Sequence, residues 1–371
     1  MKKILSLIGL LGLLASCEKT ETPKAVLVVP TTYESTNYVA NTVAESALRS
    51  QLATLTTEMK KAEKGDKLTL GVMNNLFTTG SPSIKSITVS AFTDKIEGTT
   101  GYFAELVNSS GIVYSPAKPN TMGGVYGARL LNAGGLETLQ VIEKGLFGAA
   151  FYSYATTLMT GTVTEKTIDQ LVAIYGASLA FPNSNTATKT TSPDAFIALY
   201  AARRDKNDGN GMYSKIKNAF LKAQAAVKSG VAYNTERDEA FGVIKLEMEK
   251  AILATVAHYG YAAIAKLSVT NAPETTLSGA LHDLGEGVGF LYGLKAVPQA
   301  QRKITDAQID EFAKIIVLDN AGKTEMYKYV TEPVSSITRL QTVFAKIQAL
   351  YGFTAAEMED FKKNWIAEQV R

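Results

Sequence analysis

Residues 235–267 read TERDEAFGVIKLEMEKAILATVAHYGYAAIAKL, and their spacing decides the fold class. Phe241, Ile244, Met248, Ile252, Val256 and Tyr259 fall 3, 4, 4, 4 and 3 residues apart, which puts them on one face of a single long helix. That stripe reads as a buried helix face. Working outward, the same period recurs at 37–64, where Val39, Val43, Ala47, Leu48, Leu52 and Leu55 make the apolar stripe and Gly65 stops it. It returns at 135–160 and 164–180, then at 194–204 and 213–228, which are separated by the Gly/Asn/Asp turn 205–211. Further helices are predicted at 273–294, 305–318, 333–351 and 354–369. No alternating strand pattern intervenes, so the chain is predicted to be all-α, built from packed helical bundles. The exception is an irregular, loop-rich insertion near 78–120, where Gly-Ser-Pro, Gly-Thr-Thr-Gly and Asn-Ser-Ser-Gly interrupt short apolar runs.

Two echoes point to internal duplication. Glu143-Lys144 is answered by Glu249-Lys250, 106 positions later, and Asp169 six residues before Tyr175-Gly176 is answered by Glu286 six before Tyr292-Gly293, at a shift of 117. The body therefore divides into two bundle halves, 37–192 and 193–371.

The N-terminus carries a targeting signal. Met1-Lys2-Lys3 is basic, Ile4 to Leu14 is apolar, and Leu14-Ala15-Ser16-Cys17 is a small-residue cleavage site ending in cysteine. An apolar stretch of this length is far short of the ~20 residues that span a bilayer, so residues 1–16 read as a processed bacterial lipoprotein signal peptide. Cys17, the sole cysteine, is the predicted lipidation site, and 17–36 a tether linker to the membrane. The expected location is the cell envelope, most simply the outer membrane.

Composition removes several function classes. Lys+Arg 38 against Asp+Glu 35 gives a net charge of +3, two units of which lie in the signal peptide, so nothing favours nucleic acid. One cysteine and two histidines exclude disulfide frameworks, Cys-type zinc sites, iron–sulfur clusters and three-His zinc centres. Asp205 to Gly211 lacks the glutamate of a calcium loop. Gly-X-Ser-X-Gly, Walker, dinucleotide and His-Glu-X-X-His motifs do not occur.

The remaining candidate chemistry centres on His282-Asp-Leu-Gly-Glu286. Four residues apart on a helix, His282 and Glu286 project from one face and can reach one ion, and imidazole with carboxylate suits iron or another divalent transition metal. Gly279, Gly285, Gly287, Gly289 and Gly293 surround them, each costing close to 1 kcal/mol in a helix, a cost that close helix approach around a buried polar pair would offset. The duplication register places Glu165 and Asp169 opposite His282 and Glu286. Glu137, Gln140 and Lys144 form a polar stripe on an otherwise apolar helix, which reads as a solvated face or, against another bundle, as a set in which Glu137 joins the ligands and Lys144 neutralises a carboxylate. The predicted metal set is thus His282, Glu286, Asp169 and Glu137, with Gln140, Lys144 and Glu165 lining the ligand. His258 reads as a buried, hydrogen-bonded histidine.

Together the lipoprotein signal, Gly135-Leu-Glu137-Thr-Leu-Gln140-Val-Ile-Glu-Lys144-Gly145-Leu-Phe-Gly148-Ala149 and His282-Asp-Leu-Gly-Glu286-Gly-Val-Gly-Phe290 resemble the imelysin-like superfamily, specifically a branch of envelope lipoproteins without assigned function. That resemblance implies a duplicated all-α body, a polar site in the groove between its two bundles, and a link to iron-uptake components. The family's motif spaces His and Glu by three, whereas here they stand four apart and Ala280 precedes Leu281-His282. The expected function is an envelope-anchored lipoprotein binding a metal or small ligand, plausibly iron or an iron complex. The alternatives are a metal-dependent peptidase and a structural or partner-binding lipoprotein without a ligand site.

Overall fold

A computed structural model describes residues 24–186 and 188–371. The predicted signal peptide 1–16 and predicted lipidation site Cys17 lie outside the described residues. The fold is all-α, as the periodicity predicted, with one two-stranded antiparallel ribbon in which Gly124–Tyr126 pairs with Arg129–Leu131. No helix among the described residues is long and apolar enough to cross a membrane.

The long stretch that fixed the fold class forms the helix Asn234–Leu267, and it packs along Met212–Ser229 and along the glycine-rich helix Glu274–Ala296. On its other side the Glu274 helix packs on Thr138–Leu146 and on the π-helical turn Phe147–Tyr152 that carries the chain into Ser153–Thr160. The Glu274 helix thus lies between the Asn234 and Thr138 helices, and its contact with the Thr138 helix forms a close seam. Buried apolar side chains form one cluster on both sides of it, from Tyr33 to Ile366.

The loop-rich insertion carries short helices, and one predicted helix is broken for a local reason. Within 78–120 the chain makes short helices at Ile84–Ile87, Ser90–Glu97 and Tyr102–Ser109, each ended by its flanking turn residues but each burying apolar side chains such as Ile84, Phe92 and Phe103. The helix expected over 354–369 breaks into Ala355–Asp360 and Trp365–Glu368. Between them the Phe361 carbonyl accepts hydrogen bonds from Arg204 Nη1 and His258 Nδ1, both at 2.8 Å, and so is committed to partners outside its own helix.

The segment expected to be a tether is docked from Lys24 onward. Tyr33 is buried against Phe181, and the Glu34 backbone exchanges hydrogen bonds with the Gln224 amide. Tyr233 Oη donates to the Ala25 carbonyl at 2.9 Å.

Candidate functional site

Glu137 ends the loop before the Thr138 helix, and Gln140 and Lys144 follow on one face of it. That face meets the Glu274 helix through its glycines. A Cβ on Gly289 would stand 2.4 Å from the Gln140 carbonyl oxygen, and one on Gly293 would stand 2.5 Å from the Gly145 carbonyl oxygen. From the opposite side, a Cβ on Gly148 would stand 2.3 Å from the Gly293 backbone. The two helices therefore touch backbone to backbone, an approach only glycine permits, and the glycine cost in propensity is offset by this contact.

The close crossing encloses a line of charged groups. His282 Nδ1 lies 2.8 Å from Glu137 Oε2, and Gln140 Nε2 donates to Glu137 Oε1 at 3.3 Å. Four residues on, Glu286 Oε2 lies 3.9 Å from His282 Nε2, while Glu286 Oε1 pairs with Lys144 Nζ at 3.0 Å. Lys144 also reaches Glu143 at 3.1 Å and sits over the rings of Phe147 and Tyr200. At the far end Arg129 pairs with Glu63 at 3.1 Å, next to Glu137. Glu137 is fully buried, yet the His282 side chain keeps 18% of its exposure, so solvent reaches the imidazole.

Mutual neutralisation favours the charged forms of these groups against their burial. Burial would push the Glu137 carboxyl up, but the imidazole beside it outweighs burial and holds it below the usual carboxylate range. Burial would likewise lower His282, and Glu137 raises it instead. Glu286, also buried, is held down by Lys144 and His282. Burial disfavours the Lys144 ammonium as well, yet Tyr200, Glu143 and Glu286 lift it well above its ordinary value. Glu63 goes the other way: burial and then the Glu137 charge raise it.

Of the residues singled out in the sequence, Glu137, His282 and Glu286 converge, with Gln140 and Lys144 beside them. The Glu137–Gln140–Lys144 stripe faces another helix and is not solvated. Two residues belong elsewhere. Asp169 is fully buried in a different network, accepting from Tyr33 Oη at 2.6 Å, Asn41 Nδ2 at 2.7 Å and Ser35 Oγ at 2.8 Å. Its lone pairs are taken by the docked N-terminal segment, so the duplication register misplaced it as a metal ligand. Glu165 is exposed and lies 3.9 Å from Lys228. First-turn position turns it to solvent, away from the seam.

Sequence reasoning missed Tyr200, unremarked in the 194–204 helix, and Tyr259, which reads as an apolar-stripe residue; their hydroxyls lie against Lys144 and Glu286. It also missed Glu63 and Arg129, which stand apart in sequence and meet only through the strand ribbon. His258 is half-buried, with Nδ1 hydrogen-bonded to the Phe361 carbonyl.

A transition-metal ion requires more donors than this cluster offers free. Among the described residues no group of three or more His, Cys, Asp or Glu side chains is arranged to hold a metal ion. Glu137 is committed to the imidazole through Nδ1, and Lys144 occupies one oxygen of Glu286. Left to a ligand are His282 Nε2, the buried Gln140 Oε1, which has no hydrogen-bond partner, and Glu286 Oε2, beside whose carboxylate the Tyr259 hydroxyl also lies. These fit two or three positions of a coordination sphere whose remainder comes from the bound molecule or water.

A family described as a domain of unknown function (DUF4856) matches residues 173–354. The match takes in Tyr200, Tyr259, His282 and Glu286, and it leaves out Glu137, Gln140 and Lys144. No curated protein and no solved structure matches the chain.

Proposed function

We propose that the chain is an envelope lipoprotein, anchored through Cys17, whose helical body binds a transition-metal complex, most simply an iron complex, at the seam between its two halves. The observation that carries this reading is the orientation of His282. A carboxylate, Glu137, holds the imidazole by Nδ1, which leaves Nε2 turned toward Glu286 Oε2 across 3.9 Å, too long for a direct hydrogen bond. A metal-ligating histidine is oriented by a carboxylate on its other nitrogen in this way. Glu137 is then a positioning residue, and His282 and Glu286 are the two ligands. Because two protein ligands cannot fill the sphere of iron, the reading favours a metal that arrives with its own chelator over a bare ion. The likeness of the 135–149 and 282–290 segments to the imelysin-like superfamily supports the same assignment.

A second reading follows from Lys144. Its ammonium already neutralises Glu286 at 3.0 Å, so the cluster can serve as a closed structural network that fixes the helix crossing, with no ligand. Metal analysis of full-length protein purified without chelator separates the two. Stoichiometric iron that is lost in a His282→Ala, Glu286→Ala double variant supports binding, provided the variant keeps its helical circular dichroism. Metal at background level in the wild type refutes it. Radiolabelled fatty-acid incorporation that disappears in Cys17→Ser tests the anchor separately.

A further inference from the structure

A second site lies on the other side of the Asn234 helix, between Met212–Ser229 and the broken C-terminal helix. Here a half-open cavity of about 230 Å³ is lined by Arg204, Lys215, Glu247 and Lys250, with Met212, Phe353 and Phe361 as apolar wall. Two of its charged residues are almost completely buried and incompletely satisfied. Arg204 is 5% exposed; its one hydrogen bond runs from Nη1 to the Phe361 carbonyl, its Nε has no acceptor, and among the described residues it makes no ion pair. Glu247, also 5% exposed, gives Oε1 to Lys250 at 2.9 Å and keeps Oε2 without a donor. Leaving a guanidinium buried without a counter-charge costs several kcal/mol, and a fold retains such a group where something else compensates it. Burial, with a further push from the neighbouring Arg203, lowers Arg204 to about 9, in keeping with a missing anion.

We propose that this cavity binds a small zwitterion, a free amino acid with an apolar side chain, whose carboxylate pairs with Arg204 and whose ammonium donates to Glu247 Oε2. The guanidinium Nε is unused and suits planar carboxylate recognition. Lys206, Asp208, Lys215, Lys250, Glu357 and Asp360 also line the cavity, but of its charged residues only Arg204 and Glu247 are buried, so these two are its buried cationic and anionic anchors. Phe353 and Phe361 supply an apolar wall for the side chain. The volume admits a molecule of amino-acid size and not a folded partner. This assignment is independent of the His282–Glu286 pair.

Isothermal titration of the full-length protein with L-leucine and L-phenylalanine tests it, beside their amides, which lack the carboxylate, and their N-acetyl forms, which lack the ammonium. Saturable binding of a free amino acid at one per chain is expected, with each blocked analogue at least about tenfold weaker, since each leaves a buried charge unpaired. Arg204→Lys and Glu247→Gln, checked for native melting, should each weaken binding by a similar factor, whereas His282→Ala should leave it unchanged. Absence of binding by both amino acids overturns the proposal. So does equal affinity for the N-acetyl form, or unchanged affinity in folded Glu247→Gln; the analogue series decides the matter even if both variants fail to fold.

Discussion

Two glycines on one helix turn, given the same extra methyl group, should change stability in opposite directions. Gly289→Ala puts a Cβ 2.4 Å from the Gln140 carbonyl oxygen and 2.9 Å from Lys144 Cβ, so the helices must separate by much of an ångström. Overpacking of this kind costs about 1–3 kcal/mol. The same displacement stretches the His282–Glu137 and Lys144–Glu286 pairs, now 2.8 and 3.0 Å. Set against it is the helix-propensity gain of close to 1 kcal/mol. The net expectation is a loss of about 1 kcal/mol, and more to the extent that the ion pairs stretch. Gly287→Ala, two residues earlier, meets only Val256 Cγ1 at 3.8 Å, an ordinary van der Waals contact, so it keeps the propensity gain of about 1 kcal/mol. The two single variants and wild type are compared by thermal unfolding followed by far-UV circular dichroism. Gly289→Ala should melt below wild type and Gly287→Ala above it. Equal shifts of the two variants, or a stabilised Gly289→Ala, would refute the close-crossing account of the seam.

Removing one member of the buried ion pair should cost more than removing both. Lys144→Met leaves Glu286 buried beside an imidazole alone and is expected to lose about 3–5 kcal/mol, whereas Lys144→Met with Glu286→Leu should recover most of that; a single variant that unfolds like wild type would show that the pair is not desolvated. The two histidines should titrate apart. Burial, then Arg204, pulls His258 down to about 3, so it stays neutral in the folded protein while the unfolded chain protonates it near 6.5. The unfolded state then binds more protons between those values, so this contribution to stability is full above about 6.5 and fades as pH falls toward 3. His282, raised by Glu137 in spite of its burial, should titrate above its ordinary value. Ring-proton chemical shifts followed from pH 5 to 8 should show His282 moving and His258 still; a His258 midpoint near 6.5 would contradict its desolvation.

The all-α class was legible because helical period survives any tertiary context: Phe241 through Tyr259 sit on one face whatever packs there. His282 and Glu286 were legible for the same reason, since four residues on a helix fix their proximity. The glycines around them announced a close approach through their propensity cost, but did not say to what. Asp169 shows the limit of such reasoning. Its spacing before Tyr175-Gly176 matched that of Glu286 before Tyr292-Gly293, yet its hydrogen-bond partners are Tyr33, Ser35 and Asn41, more than 120 residues away in sequence.

Periodicity and charge balance are properties read along the chain, and the sequence determined them unaided. Which face of the Thr138 helix turns inward, whether Lys144 neutralises Glu286 or meets water, and that Arg204 is buried without a counter-charge were decided only when helices far apart in sequence came together. Solvation and pairing energies depend on distance through space, and a linear order of residues does not contain that distance.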